Sequence, residues 1–132
     1  MRQSTVFMHS EGRAWFERNK QKIGVGTDPV IEVIEKYRIQ PKRVLEVGCA
    51  DGWRLNLLEK KYKCEIRGID PGLEIKNKNI FKGTASDIDY FTAPFDLIIY
   101  GWCLYLCDPD DYFQIAQQGD HVLADGGFLI VY

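Results

Sequence analysis

The spacing of apolar positions changes character near residue 43. Before it, Phe7, Trp15 and Phe16 are scattered among charges over residues 1–27, and Gly24, Gly26 and Thr27 then interrupt the chain. Asp28 and Pro29 supply an N-cap and a first-turn proline, and Val30, Ile31, Val33, Ile34 and Tyr37 recur at helical spacing. That pattern predicts a helix stopping before Pro41. From Arg43 onward, short apolar runs at 44–47, 66–69, 80–82, 95–100 and 128–132 predict five strands. Between them lie an amphipathic helix at 53–62, a helical turn at 73–76, a helix opened by Asp108-Pro109 that continues toward Val122 although Gly119 weakens it, and a turn at 124–127. The alternation predicts a doubly wound α/β fold with a mostly parallel sheet over residues 28–132, preceded by an arm or lid at 1–27. Because the chain stops on its most apolar run, the sheet is expected to be truncated after the fifth strand.

Composition narrows the class. The chain has 132 residues, 45% apolar, with 17 basic and 19 acidic side chains, enough for one globular domain with its own core. The charge is distributed unevenly: residues 1–43 carry nine basic and five acidic groups, 44–82 eight and six, and 83–132 none and eight. The acidic half repels polyanions, so a duplex or a membrane surface would have to approach the amino-terminal side, and nucleic acid is not an expected partner. No apolar run approaches the roughly 20 residues of a membrane span, and no leader is apparent at the start. Cys49, Cys64, Cys103 and Cys107 form no disulfide framework and no metal-ligand spacing, which predicts a reducing, cytoplasmic setting and no metal.

The residues that carry chemistry follow the first strand. Glu46-Val47-Gly48-Cys49-Ala50-Asp51-Gly52 occupies the strand-to-helix turn, where an open α/β sheet holds ligands. Gly48 permits a sharp turn and close approach, and Gly52 opens the next helix. Asp70 ends the second strand, 18 residues beyond Gly52, where a carboxylate can accept both hydroxyls of a ribose. Together they describe a nucleoside-binding crevice. The G-x-G-x-x-G of a dinucleotide site is absent, since Ala50 and Trp53 stand at its second and third glycines, and no phosphate loop exists. An acid two residues before Gly48 disfavours a pyrophosphate and suits a ligand bearing a positive amine.

Glu46-x-Gly48-x-x-x-Gly52, with Asp70 and the strand at 95–100 in order and spacing, resembles the class I S-adenosylmethionine-dependent methyltransferases of small-molecule type over about residues 28–132. The resemblance implies a Rossmann-like sheet and S-adenosylmethionine as cofactor. It also implies that the loop of Gly48, Cys49, Ala50 and Gly52 receives the methionine portion above Glu46, and that Asp70, followed by Pro71, holds the ribose. The stretch of Ala85, Ser86 and Asp87 would meet the adenine, through the backbone around Ala85 and a side chain, Asp87 or Thr84, near the exocyclic amine; Thr84 stands where many members carry an acid. Tyr100, Gly101 and Trp102 would lie against the methionine portion and the acceptor, and the segment 10–16 would form a lid. Ala50 replaces the usual middle glycine, a mild change wherever φ is negative.

Methyl transfer needs chiefly alignment, because the sulfonium already activates the methyl group. A catalytic base is correspondingly weak in the sequence: His9, Tyr100 and Tyr105 are the candidates, and Leu106 stands where many small-molecule members have histidine. The expected reaction is methylation of a small-molecule, sugar or lipid-linked acceptor, with oxygen slightly favoured. The alternatives are a non-catalytic cofactor-binding or scaffolding domain of the same fold and, less favoured, a nicotinamide-dependent oxidoreductase.

Overall fold

The computed structural model describes residues 1–72, 77–92 and 94–132; the turn expected at 73–76 lies outside them. Five strands, β1 (Arg43–Val47), β2 (Glu65–Asp70), β3 (Ile80–Lys82), β4 (Phe95–Tyr100) and β5 (Leu123–Val131), form one sheet in the order β3-β2-β1-β4-β5. Every pairing is parallel. The chain moves outward from β1 to β3 and then returns to the other side of β1 as β4. The order therefore reverses between β1 and β4, which opens a crevice above their carboxyl ends.

Helices cover both faces. Asp28 caps α3 (Pro29–Lys36) by accepting from the Ile31 amide at 3.0 Å, as the sequence predicts. With α4 (Trp53–Tyr62) it covers one face, where Val30, Ile34, Leu55 and Leu58 pack on Val44, Ile66, Leu97 and Ile99. On the other face Leu45, Val47, Ile69, Ile98 and Tyr100 pack against Ile88, Phe91 and, from α5 (Tyr112–Val122), Ile115 and Val122. The central strands are buried on both faces, which is why they read as unbroken apolar runs. Strand alternation has a consequence for the site: Glu46 shares the face of Val44, toward α3 and α4, whereas Tyr100 shares the face of Ile98, toward α5.

Helix α5 runs to Val122 as read, through Gly119, which is buried where a Cβ would lie 2.8 Å from the Tyr100 hydroxyl. One boundary differs from the sequence reading. Residues 124–127 are not a free turn but part of β5, bulged between the Phe95↔Leu123 and Leu97↔Phe128 pairs, with Gly126 at φ +73°. The outer strand leaves Phe128, Leu129 and Val131 about half exposed. No helix among the described residues is long and apolar enough to cross a membrane.

The arm folds as α1 (Gln3–Val6), a π-helical turn (Phe7–Glu11) and α2 (Gly12–Asn19), and is held at two points. The Asp108 carboxylate accepts from the Gln3 and Ser4 amides at 2.8 and 3.1 Å, while Arg2 pairs with Asp108 and Asp111. At the other point the backbones of Gly12 and Gly72 meet so closely that a Cβ on Gly12 would stand 2.5 Å from Gly72 Cα. Gly12→Val is therefore expected to undock the arm while leaving the sheet core intact. Hydrogen exchange should accelerate over residues 3–19 but not in β1 or β4; unchanged protection of the arm would contradict the contact.

Candidate functional site

A cavity of about 500 Å³ lies above the carboxyl ends of β1, β2 and β4. Phe7 and Trp15 of the arm, the 22–28 linker, the turn after β1, and residues Pro71, Thr84 and Trp102 line it. The arm thus forms part of its wall. Gly48 has φ +75°, and a Cβ there would stand 2.7 Å from that of Cys103, so the turn and its packing both require glycine. Ala50 has φ +50°, which corrects the expectation of a negative value: alanine is held here in a left-handed conformation.

Asp70 holds Ala50 in place. Its Oδ2 accepts from the Ala50 amide at 2.9 Å and its Oδ1 from the Gly72 amide at 2.8 Å, so one carboxylate ties the turn after β1 to the turn after β2. Each oxygen keeps a second lone pair for a ligand hydroxyl. Burial pushes the carboxyl above its ordinary range, against the two amides that favour the ion.

Below the turn lies a charged group that sequence reasoning missed. Arg54, on the first turn of α4, is buried and forked onto Asp28: Nε to Oδ1 at 3.0 Å and Nη2 to Oδ2 at 2.7 Å. Its Nη1 donates to Glu46 Oε1. Glu46 is 1% exposed, and its Oε2 has no partner. Burial pushes the Glu46 carboxyl up to about 7 despite the adjacent guanidinium, with Asp28 and Asp70 adding to the rise. Asp28, in turn, stays below its ordinary range: its burial is outweighed by Arg54 and the cap amides. Gly101 passes close to the pair, where a Cβ would stand 3.1 Å from Arg54 Nη1. The sequence showed Asp28 only as a helix cap. Arg54 gave no signal beyond a cation between Trp53 and Leu55 on a helix predicted to pack on the sheet.

Of the residues singled out from the sequence, Glu46, Gly48, Cys49, Ala50, Asp70, Pro71, Ala85, Ser86, Gly101, Trp102 and Tyr105 line the cavity. Four stand elsewhere. Gly52 is buried behind the turn, where a Cβ would meet Ile80 at 2.4 Å. Asp87 is engaged in a capping box, its Oδ2 accepting from the Thr84 amide at 2.7 Å and hydroxyl at 2.8 Å. Tyr100 points away from the cavity to α5, and burial raises its phenol to about 12. His9 is exposed on the arm and outside the lining. Trp102, at φ +57° and half exposed, stacks edge-on against Tyr132 at 4.6 Å on the rim. Burial raises the Cys49 and Cys103 thiols well above their ordinary range, which keeps both neutral.

A reversal-point cavity, a glycine turn and a carboxylate ending the second strand are features of many nucleotide-binding sheets. The deciding comparison is a family profile described as a methyltransferase domain, which matches residues 18–131. The chain belongs to the methyltransferase domain family. Among solved structures, this methyltransferase domain is similar to the plantazolicin methyltransferase BamL in complex with a triazolic desmethylPZN analog and SAH. That match has 22% identity and a TM-score of 0.71, and covers 93% of this chain and 52% of that one. TehB from Haemophilus influenzae matches at 14% identity and TM-score 0.63, covering 90% and 44%. The StiE O-MT matches at 18% identity and TM-score 0.63, covering 92% and 50%. At these identities the likeness is one of fold, and the chain spans about half the length of these structures. A search of curated protein sequences finds no match.

The left-handed alanine yields a test within the domain. Ala50→Gly should stabilise the fold by roughly 0.5–1 kcal/mol, relief of the φ +50° conformation being partly offset by the freer unfolded chain. Chemical denaturation checks this; a loss of stability would contradict the assigned backbone geometry.

Proposed function

We propose that this domain binds S-adenosylmethionine in the reversal-point cavity and transfers its methyl group to a small-molecule, sugar or lipid-linked acceptor. The observation that carries the reading is Asp70: a partly buried carboxylate fixed by two amides, with a lone pair left on each oxygen. That arrangement suits the two vicinal hydroxyls of a ribose. Glu46 also lines the cavity; its buried, unpartnered Oε2 suits an ammonium group, and Gly48 and Gly101 bring backbone close without a side chain intervening. Ala85 and Ser86 line the wall suited to the adenine. Asp87 remains a candidate for adenine contact only through the loop it caps, since its Oδ2 is taken by Thr84.

The cofactor, when bound, supplies a methyl group already activated by the adjoining sulfonium. The protein's task is then to hold the acceptor in line and keep water out. Trp102 and Tyr105 on the rim, with Phe7 and Trp15 of the arm, give an apolar wall for that purpose. Neither His9 nor His121 lines the cavity, and Tyr105 is the one base candidate from the sequence that does. This favours transfer by proximity to an acceptor whose nucleophile needs little activation, with oxygen the slightly preferred atom. The four cysteines are all free thiols, which fits a reducing, cytoplasmic setting.

Calorimetric titration with S-adenosylhomocysteine tests the cofactor. Micromolar binding is expected, and Asp70→Ala should weaken it about 30-fold, or about 2 kcal/mol, for the loss of charge-assisted bonds to the ribose. Equal binding by the variant, or preference for a nicotinamide dinucleotide, would overturn the assignment. Transfer of labelled methyl to a panel of hydroxylated acceptors separates an enzyme from a cofactor-binding scaffold.

A further inference from the structure

Resting on that cofactor reading, the charge network beneath the turn supports a further assignment. Glu46 and Arg54 are buried and Asp28 is partly buried, and they do not balance: one guanidinium faces two carboxylates. The Asp28 carboxylate is fully engaged, with Oδ1 accepting from the Ile31 amide and Arg54 Nε and Oδ2 accepting from Arg54 Nη2. The Glu46 carboxylate is half engaged, through Oε1 alone. The unmatched negative charge therefore falls on Glu46 Oε2, a buried atom of a residue that lines the cavity. An unpaired charge in such a place is costly unless a cation completes it.

We propose that Arg54 is a positioning residue for the cofactor. Clamped by Asp28, it fixes one oxygen of Glu46 and leaves the other as the sole acceptor for the ammonium of the methionine portion. Three features make the guanidinium the element that sets this. Its planar fork spans two carboxylates from different elements, which a lysine cannot do. Gly101 leaves the space the fork occupies. Asp28 sits between the arm's linker and α3, so the same contact ties the wall of the cavity to its floor.

The consequence is a pH dependence of cofactor affinity. The groups facing Glu46 are Arg54 from α4, Asp28 from the start of α3, Asp70 from β2, and the neutral thiols of Cys49 and Cys103. Without ligand the Glu46 carboxyl lies near 7. An ammonium binds its ionised form, so binding releases a proton below that pH and affinity falls as the solution is acidified. Arg54→Lys weakens the pairing and moves the midpoint up. Asp28→Asn keeps the helix cap but removes a neighbouring negative charge, and moves it down.

Titrations of the 132-residue chain with S-adenosylhomocysteine, and with 5′-methylthioadenosine, which lacks the amino-acid portion, test this. Wild-type affinity for the first ligand should rise roughly ten-fold between pH 6 and pH 8, and that for the second should stay within about two-fold. Arg54→Lys should lose roughly five- to ten-fold at pH 7 for the first ligand only, and Asp28→Asn should flatten the pH profile. If folded Arg54→Lys keeps the wild-type profile, or loses both ligands equally, the positioning role is overturned while the cofactor assignment stands. If the wild-type chain binds neither ligand, the cofactor assignment fails and this role fails with it.

Discussion

The buried carboxylate of Glu46 is the constraint around which the site is arranged. Strand alternation turns it toward α3 and α4, into an apolar layer with Val30, Ile34, Leu55 and Leu58, where an isolated charge would be untenable. Its acceptance there requires Arg54, and the burial of Arg54 requires Asp28. The chain of requirements runs from β1 to the cap of α3 and so fixes where the linker from the arm rejoins the domain. Removing one member of such a group costs on the order of 3–5 kcal/mol, because the others are left buried and unmatched. Apolar replacements could serve stability as well. The charges instead leave one oxygen of a cavity-lining residue unpaired.

Asp70 does the corresponding work at the end of the neighbouring strand, β2. By accepting from Ala50 and Gly72 it holds two turns at a fixed separation and keeps alanine in a left-handed conformation. The same Gly72 meets Gly12 of the arm, so the carboxylate that lines the cavity also supports the arm's docking point. Floor, side and part of the roof of the cavity are thus coupled through two acidic residues and a few close backbone contacts. A ligand that engages both carboxylates would feel all of them.

Most of the fold is legible in the sequence because parallel strands buried on both faces have a plain signature. The runs of β1, β2 and β4 and the Asp28-Pro29 cap fall where they are read. The ends of the sheet are less legible. In β5 the Gly126 bulge looks like a turn, since glycine spacing does not distinguish a chain that leaves the sheet from one that loops within it. At the site, Gly48, Ala50 and Asp70 are legible from spacing alone. Strand parity would have turned Tyr100 away from the cavity, had the face of β4 been assigned. Arg54 and its fork are not legible, since they depend on how α4 is rotated against β1, and the sequence carries only a helical period too short to fix that angle. The left-handed φ of Ala50 is hidden for a similar reason: it is imposed by Asp70 from another strand.

The most direct measurement is the structure of this chain bound to S-adenosylhomocysteine. The account predicts the ribose hydroxyls on Asp70 and the ammonium on the free oxygen of Glu46, with Arg54 still forked onto Asp28. A ligand seated elsewhere, or one in the cavity that contacts neither carboxylate, would contradict it.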